Sequence, residues 1–146
     1  MANVTPYLRV KDSDAAITFY KLAFGAEEQY RLTDPNGKIG HAEITIEGAL
    51  IQIADEYPEY GILGPQSIGN TSVGIHLKVS DVDKVFNQAI MAGGVISSPL
   101  VDQFYGDRTG SLTDPFGHSW MVSTTIETVT PDEMQKRYLA MFESNE

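Results

Sequence analysis

Leu8-Arg9-Val10-Lys11-Asp12-Ser13-Asp14 returns, altered but recognisable, as Leu77-Lys78-Val79-Ser80-Asp81-Val82-Asp83. The spacing is 69 residues (77 − 8), and the same spacing pairs Ala23 with Ala92 and Gly25 with Gly94. Six identities at one offset across eighteen positions mark a duplication. The chain therefore reads as one domain, 1–146, made of two copies of a module. Module one is 4–56, a linker is 57–71, module two is 72–128, and a C-terminal helix is 130–143.

Each copy opens with a short strand ending at Val10 or Val79. Asp12, and Ser80 or Asp81, then offer a side-chain oxygen to cap a helix. Apolar residues follow at helical spacing, with Ala16, Phe19, Tyr20 and Ala23 in one copy and Val82, Val85, Phe86, Ala89 and Ile90 in the other. Gly25 and Gly93–Gly94 end the helices. The carboxylate pairs Asp12/Asp14 and Asp81/Asp83 read as capping and dipole complementation rather than acid–base chemistry.

Alternating patterns then predict strands at 27–33, 39–47 and 49–54, and at 95–101, 107–113 and 118–126. Asp34-Pro35-Asn36-Gly37 and Asp114-Pro115-Phe116-Gly117 are hairpin turns. They break the 69-residue offset, being 80 apart (114 − 34), so they join different strand pairs in the two copies. Each module is β-α-β-β-β, and the chain is α+β. The segment between the modules is long enough to have a job, and Tyr57 and Tyr60 could cover a cavity mouth. In the tail, Thr130 caps a helix, Pro131 opens it and Glu133 completes a capping box. Met134, Tyr138, Met141 and Phe142 form an apolar stripe that needs a surface, on the body or on a second subunit.

Composition narrows the function. The chain has 146 residues, 42% apolar and 21% charged, which is a folded domain and not a disordered one. It has no cysteine, so disulfides, thiolate metal sites and cysteine nucleophiles are excluded. A net charge of −10 repels nucleic-acid phosphates and anionic membranes, so neither is an expected partner. There is no basic and apolar leader and no long apolar run, so a cytoplasmic location is expected.

Two tandem βαβββ modules, L-x-V-x-D at each module start and D-P-x-G-H near the end resemble the vicinal oxygen chelate superfamily of glyoxalases, bleomycin-resistance proteins and dioxygenases. Phe104-Tyr105-Gly106-Asp107-Arg108, Asp114 to Trp120, Thr130 to Met134 and His41-Ala42-Glu43 resemble its PhnB-like subgroup. The resemblance implies a cupped mixed β-sheet with helices on its convex side, a small-molecule ligand in the cup, and a homodimer.

Strand alternation then assigns faces. Leu8, Val10, Ile44, Ile46, Ile51, Ile53, Ile75, Leu77, Val79, Trp120 and Val122 form the helix side. Thr5, Tyr7, Arg9, His41, Glu43, Thr45, Leu50, Gln52, Gly74, His76, Lys78, Ser119, Met121 and Ser123 face the cup. Metal-dependent members of the superfamily bind one divalent ion at positions that map onto Thr5, Gln52, Gly74 and Met121. These are poor ligands, which implies no metal cofactor there. An alternative is one divalent metal ion held by His41, Glu43 and His76. A third reading makes His41 and Glu43 an acid–base pair, the candidate catalytic residues of a lyase, isomerase or transferase. The expected ligand-binding set is Tyr7, His41, Glu43, Gln52, His76, Arg108 and Met121. Arg9 and Lys78, equivalent by the repeat, would suit an anionic ligand, as would the fork of Arg108, whose other option is a pair with Asp107 or a loop carbonyl. His118, after the hairpin glycine, reads as turn structure. A surface interaction module, using the C-terminal helix, is the remaining possibility.

Overall fold

The two modules of the computed structural model, which describes residues 1–143, build the same sheet twice. Module one runs β1 (Tyr7–Val10), α1 (Ser13–Phe24), β2 (Glu27–Thr33), β3 (Ile39–Ile46) and β4 (Ala49–Asp55). Module two runs β5 (Gly74–Lys78), α3 (Val82–Ala92), β6 (Val95–Asp102), β7 (Asp107–Thr113) and β8 (Ser119–Thr125). Between them lie a single 3₁₀ turn at Pro58–Tyr60 and a short helix, α2 (Pro65–Ile68), and the chain closes with α4 (Pro131–Glu143). The sheet orders are β1-β4-β3-β2 and β5-β8-β7-β6, with one parallel pair in each, β1/β4 and β5/β8. The eight strands form two mixed sheets of four.

The shared residues of the repeat build shared local structure. Asp12 accepts from the Ala15 amide at 3.1 Å and Asp81 from the Lys84 amide at 3.2 Å, so both helices start on an aspartate cap. Gly25, at φ 69°, supplies the left-handed residue that ends α1. The two Asp-Pro-x-Gly turns do join different strands, β2 to β3 and β7 to β8.

The apolar side of each sheet lies under the helices. Leu8, Val10, Ile44, Ile46, Ile51, Ile53, Leu77, Val79, Trp120 and Val122 are all buried, and Ile75 packs against them half-buried. Burying such residues drives the fold at roughly 25 cal/mol per Å² of apolar surface. The modules meet through α1 and α3 and through an aromatic cluster. Tyr20 and Phe24 of α1 lie 5.4 and 4.6 Å from the Trp120 ring of module two. Asp114 is the polar bolt of this seam. It accepts from the Tyr20 hydroxyl, from Trp120 Nε1 at 2.8 Å, and from the Phe116 and His118 amides at 2.9 and 3.0 Å. Burial, with the Asp114 charge beside it, holds the Tyr20 phenol well above its ordinary pKa, so Tyr20 remains a donor.

The linker has more structure than its composition suggests. Glu56 is buried and accepts from the Gly64 amide at 3.0 Å and the Ser67 hydroxyl at 2.8 Å. The Gly64 amide, and next the Ser67 hydroxyl, hold this carboxyl below the usual range. Neither Tyr57 nor Tyr60 lines either of the two cavities described below. Tyr57 bridges to Ile62 under Lys38, whose Nζ is 4.6 Å from its ring centroid, and Tyr60 is exposed. In the tail, Thr130 Oγ1 accepts from the Glu133 amide at 3.2 Å. No α4 residue is buried, and Tyr138 reaches only Phe104 of the body and Phe142 of its own helix among its ring contacts. No helix among the described residues is long and apolar enough to cross a membrane.

Candidate functional site

The polar face of the first sheet carries a connected set of ionisable side chains. Register places Tyr7 of β1 beside Gln52 of β4, and Gln52 beside Glu43 of β3. His41 and Glu43 share that face, being two apart on β3. The Tyr7 hydroxyl lies 2.8 Å from His41 Nδ1, and His41 Nε2 lies 3.2 Å from Glu43 Oε2. Gln52 Nε2 donates to the same carboxylate oxygen at 3.0 Å. An ionised carboxylate only accepts, so Nε2 of His41 carries the proton and Nδ1 accepts from Tyr7. The rings of Tyr7 and Tyr30 flank the imidazole at 5.5 and 5.8 Å.

The donors converge on Glu43. Gln52 first, then His41 and Tyr30, hold its carboxyl below the usual range, so Glu43 is an anion near neutral pH. In return its hydrogen bond raises the Tyr30 phenol. The arrangement holds an imidazole in one tautomer between an exposed phenol and a fixed negative charge. Such a group can bind polar ligand atoms, or take a proton and have the resulting cation stabilised.

Tyr30 is the member that reading the chain missed. Counting back from the hairpin, with Thr33 opposite Ile39, sets Gln29 opposite Glu43. Register shifts at Leu32/Thr33 and Glu28/Tyr30 bring Tyr30 there instead. A bulge of this kind leaves no mark in hydrophobic alternation.

The second sheet's polar face is poorer. His76 Nε2 is 2.7 Å from the Ser123 hydroxyl, and Met121 sits half-buried between His76 and Ser111 by register. His76 does not join His41 and Glu43. Among the described residues, no group of three or more His, Cys, Asp or Glu side chains is placed to hold a metal, so the alternative ligand set is not assembled. Its members stand on different sheets, which one-dimensional spacing cannot show. Arg108 is also corrected. Its guanidinium pairs with Asp83 of α3 at 2.9 Å and with Asp102 at 3.1 Å, which turns it to the helix side and leaves it away from the polar face. Neither of the pairings expected for it, with Asp107 or a loop carbonyl, is the one it makes.

The four positions onto which the resemblance maps a metal do not suit a divalent ion. Gly74 has no side chain, Met121 offers a thioether, Thr5 a hydroxyl, and the Gln52 amide is already committed to Glu43.

Beside this face runs a slot along the free edge of β1. It measures about 570 Å³ and is lined by Tyr7 and Arg9, by linker residues from Leu63 to Val73, and by Ile75 and His118. The volume falls in the range of small-molecule sites. His118 does more than shape a turn. Its Nε2 donates to the Arg9 carbonyl at 3.0 Å and ties module two to β1. A second cavity of about 400 Å³, lined by Thr5, Leu50 and His76 among others, lies where β4 and β5 face each other.

Known proteins share this architecture. The model of the glyoxalase/bleomycin resistance protein/dioxygenase superfamily matches residues 2–122. An uncharacterised protein of Mycobacterium bovis is 41% identical over 135 residues, covering 90% of this chain and 89% of that protein. The crystal structure of TioX from Micromonospora sp. ML1 superposes with a TM-score of 0.67 at 27% identity, covering 88% of this chain and 100% of TioX. A PhnB protein from Bacillus cereus gives a TM-score of 0.66 at 20% identity, covering 85% of this chain and 100% of that one, a likeness of fold.

Proposed function

The chain belongs to the glyoxalase/bleomycin resistance protein/dioxygenase superfamily, and from that premise we propose that it is a small-molecule-binding protein whose site joins the first sheet's polar face to the slot along β1. One observation carries this reading. Tyr7 stands both in the slot wall and in the bonded set with His41, Glu43 and Gln52. A ligand body in the slot therefore reaches an organised polar end, the combination that gives small-molecule sites both affinity and orientation. His76 lines the second cavity, and Met121 is its register partner on β8, so module two would contribute through this pair.

The test is a fragment screen read by backbone amide shifts. Hits should move residues of β1, β3 and 63–73, and Tyr7→Phe or His41→Ala should weaken them. Hits confined to other surfaces would overturn the proposal. No bound divalent ion is expected at Thr5, Gln52, Gly74 and Met121. Elemental analysis should find well under one per chain, and stoichiometric metal would contradict this.

A second reading, acid–base catalysis by His41 and Glu43, is favoured by the fixed tautomer of His41 between Tyr7 and Glu43. With a substrate found by the screen, His41→Ala would then lower kcat far more than it weakens binding. The partner we expect is a second copy, because β2 and β6 are open sheet edges carrying exposed Leu32, Val95 and Ile96. Light scattering should give about twice 16.0 kDa, and a clean monomer at tens of micromolar would remove the dimer.

A further inference from the structure

We infer that the slot along β1 selects small organic anions with an apolar body, the anionic group being held by Arg9. The inference rests on the small-molecule-binding reading above and adds the ligand's charge. Its basis is where the charges of this chain are, and are not, placed.

Acidic side chains number twenty in this chain, with a net charge of −10, yet among the described residues none lines the slot. The charged residue in the wall is Arg9, and the remaining polar lining includes Asn70, Thr71 and Ser72. The chain has four arginines. Arg31 is paired with Glu28 and Asp14, Arg108 with Asp83 and Asp102, and Arg137 with Glu127 and Glu133. Arg9 has no carboxylate partner among the described residues. Its Nη1 donates to the Asp55 carbonyl at 3.2 Å.

The acids near Arg9 are committed elsewhere. The Asp55 carboxylate accepts from the Ser13 and Ile39 amides at 2.7 and 2.9 Å, and Glu56 is held by Gly64 and Ser67. The repeat supplies a control. Lys78, the equivalent of Arg9 in module two, stands 3.7 Å from Asp107 and is neutralised there. Arg9 is also positioned. Its guanidinium carbon lies 4.9 Å from the centroid of the Tyr7 ring, a stacking that restrains the fork and leaves donors for a bidentate anion.

The rest of the wall sets the ligand's body. Leu63, Pro65, Ile68, Val73 and Ile75 are apolar, so a purely polar anion such as phosphate would leave most of the slot unfilled. The overall negative charge does not prevent entry at physiological ionic strength, where fields fade over roughly 8 Å.

Three probes with one body and three charges separate the possibilities: indole-3-acetate, indole-3-acetamide and tryptamine. Each is titrated into the full chain at physiological ionic strength, with calorimetry for affinity and amide shifts for location. The acetate should bind at least tenfold more tightly than the amide, with shifts centred on Tyr7, Arg9, Ile68 and Val73. Tryptamine should bind more weakly than either. Salt at 0.5 M should erase most of the acetate's advantage and leave the amide unchanged. Arg9→Gln should bring the acetate down to the amide's affinity, and Arg9→Lys should retain part of the preference. If Arg9→Gln fails to fold, the salt series on the unmodified chain still decides. Equal binding of acetate and amide, or an acetate preference that survives Arg9→Gln, would overturn the anion inference while leaving the slot a binding site. If none of the three probes shifts a slot residue, the binding reading and this inference fall together.

Discussion

Tyr7, His41, Glu43 and Gln52 in the first module stand where His76, Thr109, Ser111 and Met121 stand in the second, as the strand registers show. The helix-facing residues between them have barely diverged in kind. Leu8 matches Leu77, Val10 matches Val79, Ile53 matches Val122 and Ile44 matches Leu112, and all are buried. Two copies of one module thus keep the face that packs and differ in the polar face. Packing constrains volume and polarity at every buried position, whereas a polar face tolerates any hydrated residue. The first module holds a carboxylate gathering donors from three strands, and the second holds a His–Ser pair beside a thioether.

The hairpin turns show the largest contrast. Asp34 caps its exposed turn by accepting from the Asn36 and Lys38 amides at 2.8 and 3.0 Å. Asp114 makes the equivalent bonds and in addition binds Tyr20 and Trp120 in the seam. Asp114→Ala should therefore cost about 3 kcal/mol or more in urea unfolding, because buried donors lose their acceptor. Asp34→Ala should cost about 1 kcal/mol, since water replaces the carboxylate. Equal losses would mean that the seam does not depend on Asp114.

Next comes a size exchange. Ala42 of β3 corresponds to Gly110 of β7, and Ile17 of α1 to Phe86 of α3. A Cβ on Gly110 would sit 2.7 Å from the buried Phe86 ring. Gly110→Ala should destabilise by about 1–3 kcal/mol, and adding Phe86→Leu should recover part of that loss. A neutral Gly110→Ala in thermal unfolding would show that the second module's helix sits more loosely than its counterpart.

The caps are where the modules agree, so Asp12→Ala and Asp81→Ala should each cost about 1 kcal/mol and leave probe binding unchanged. A cap variant that lost binding at full stability would make that aspartate part of the site.

The smallest effect concerns pH. Gln52 is the largest cause of the depressed Glu43 carboxyl. Gln52→Ala should move the Glu43 titration, followed by carboxyl carbon shifts, back up toward the ordinary range, and Met121→Ala should not move it. Because the folded group titrates below its unfolded value, its stabilising contribution is complete above the ordinary carboxylate range. It is lost as pH falls through the folded value. Glu28, brought from 4.5 to about 2 chiefly by Arg31, behaves likewise, its contribution fading as pH drops from about 4.5 toward 2. A Glu43 titration indifferent to Gln52→Ala would break the assigned network.

By itself the sequence determined the duplication, the order of elements within each module, the helix caps, the strand pairs joined by each Asp-Pro-x-Gly turn, and which residues face the helices. These follow from local chemistry and from periods of 3.6 and 2, which a chain carries without reference to its neighbours. It also drew His41, Glu43, Tyr7 and Gln52 onto one polar face. Only the tertiary structure decided which of them touch. Tyr7 and His41 are 34 residues apart, Arg108 and Asp83 are 25 apart, and parity names a face without naming the neighbour on the next strand or helix. It brought Tyr30 to Glu43 through a bulge, sent Arg108 to the helix side, and kept His76 apart from His41. It also formed the slot from the β1 edge and a folded linker. Those outcomes depend on strand register and on module packing, long-range quantities that no local pattern in the chain encodes.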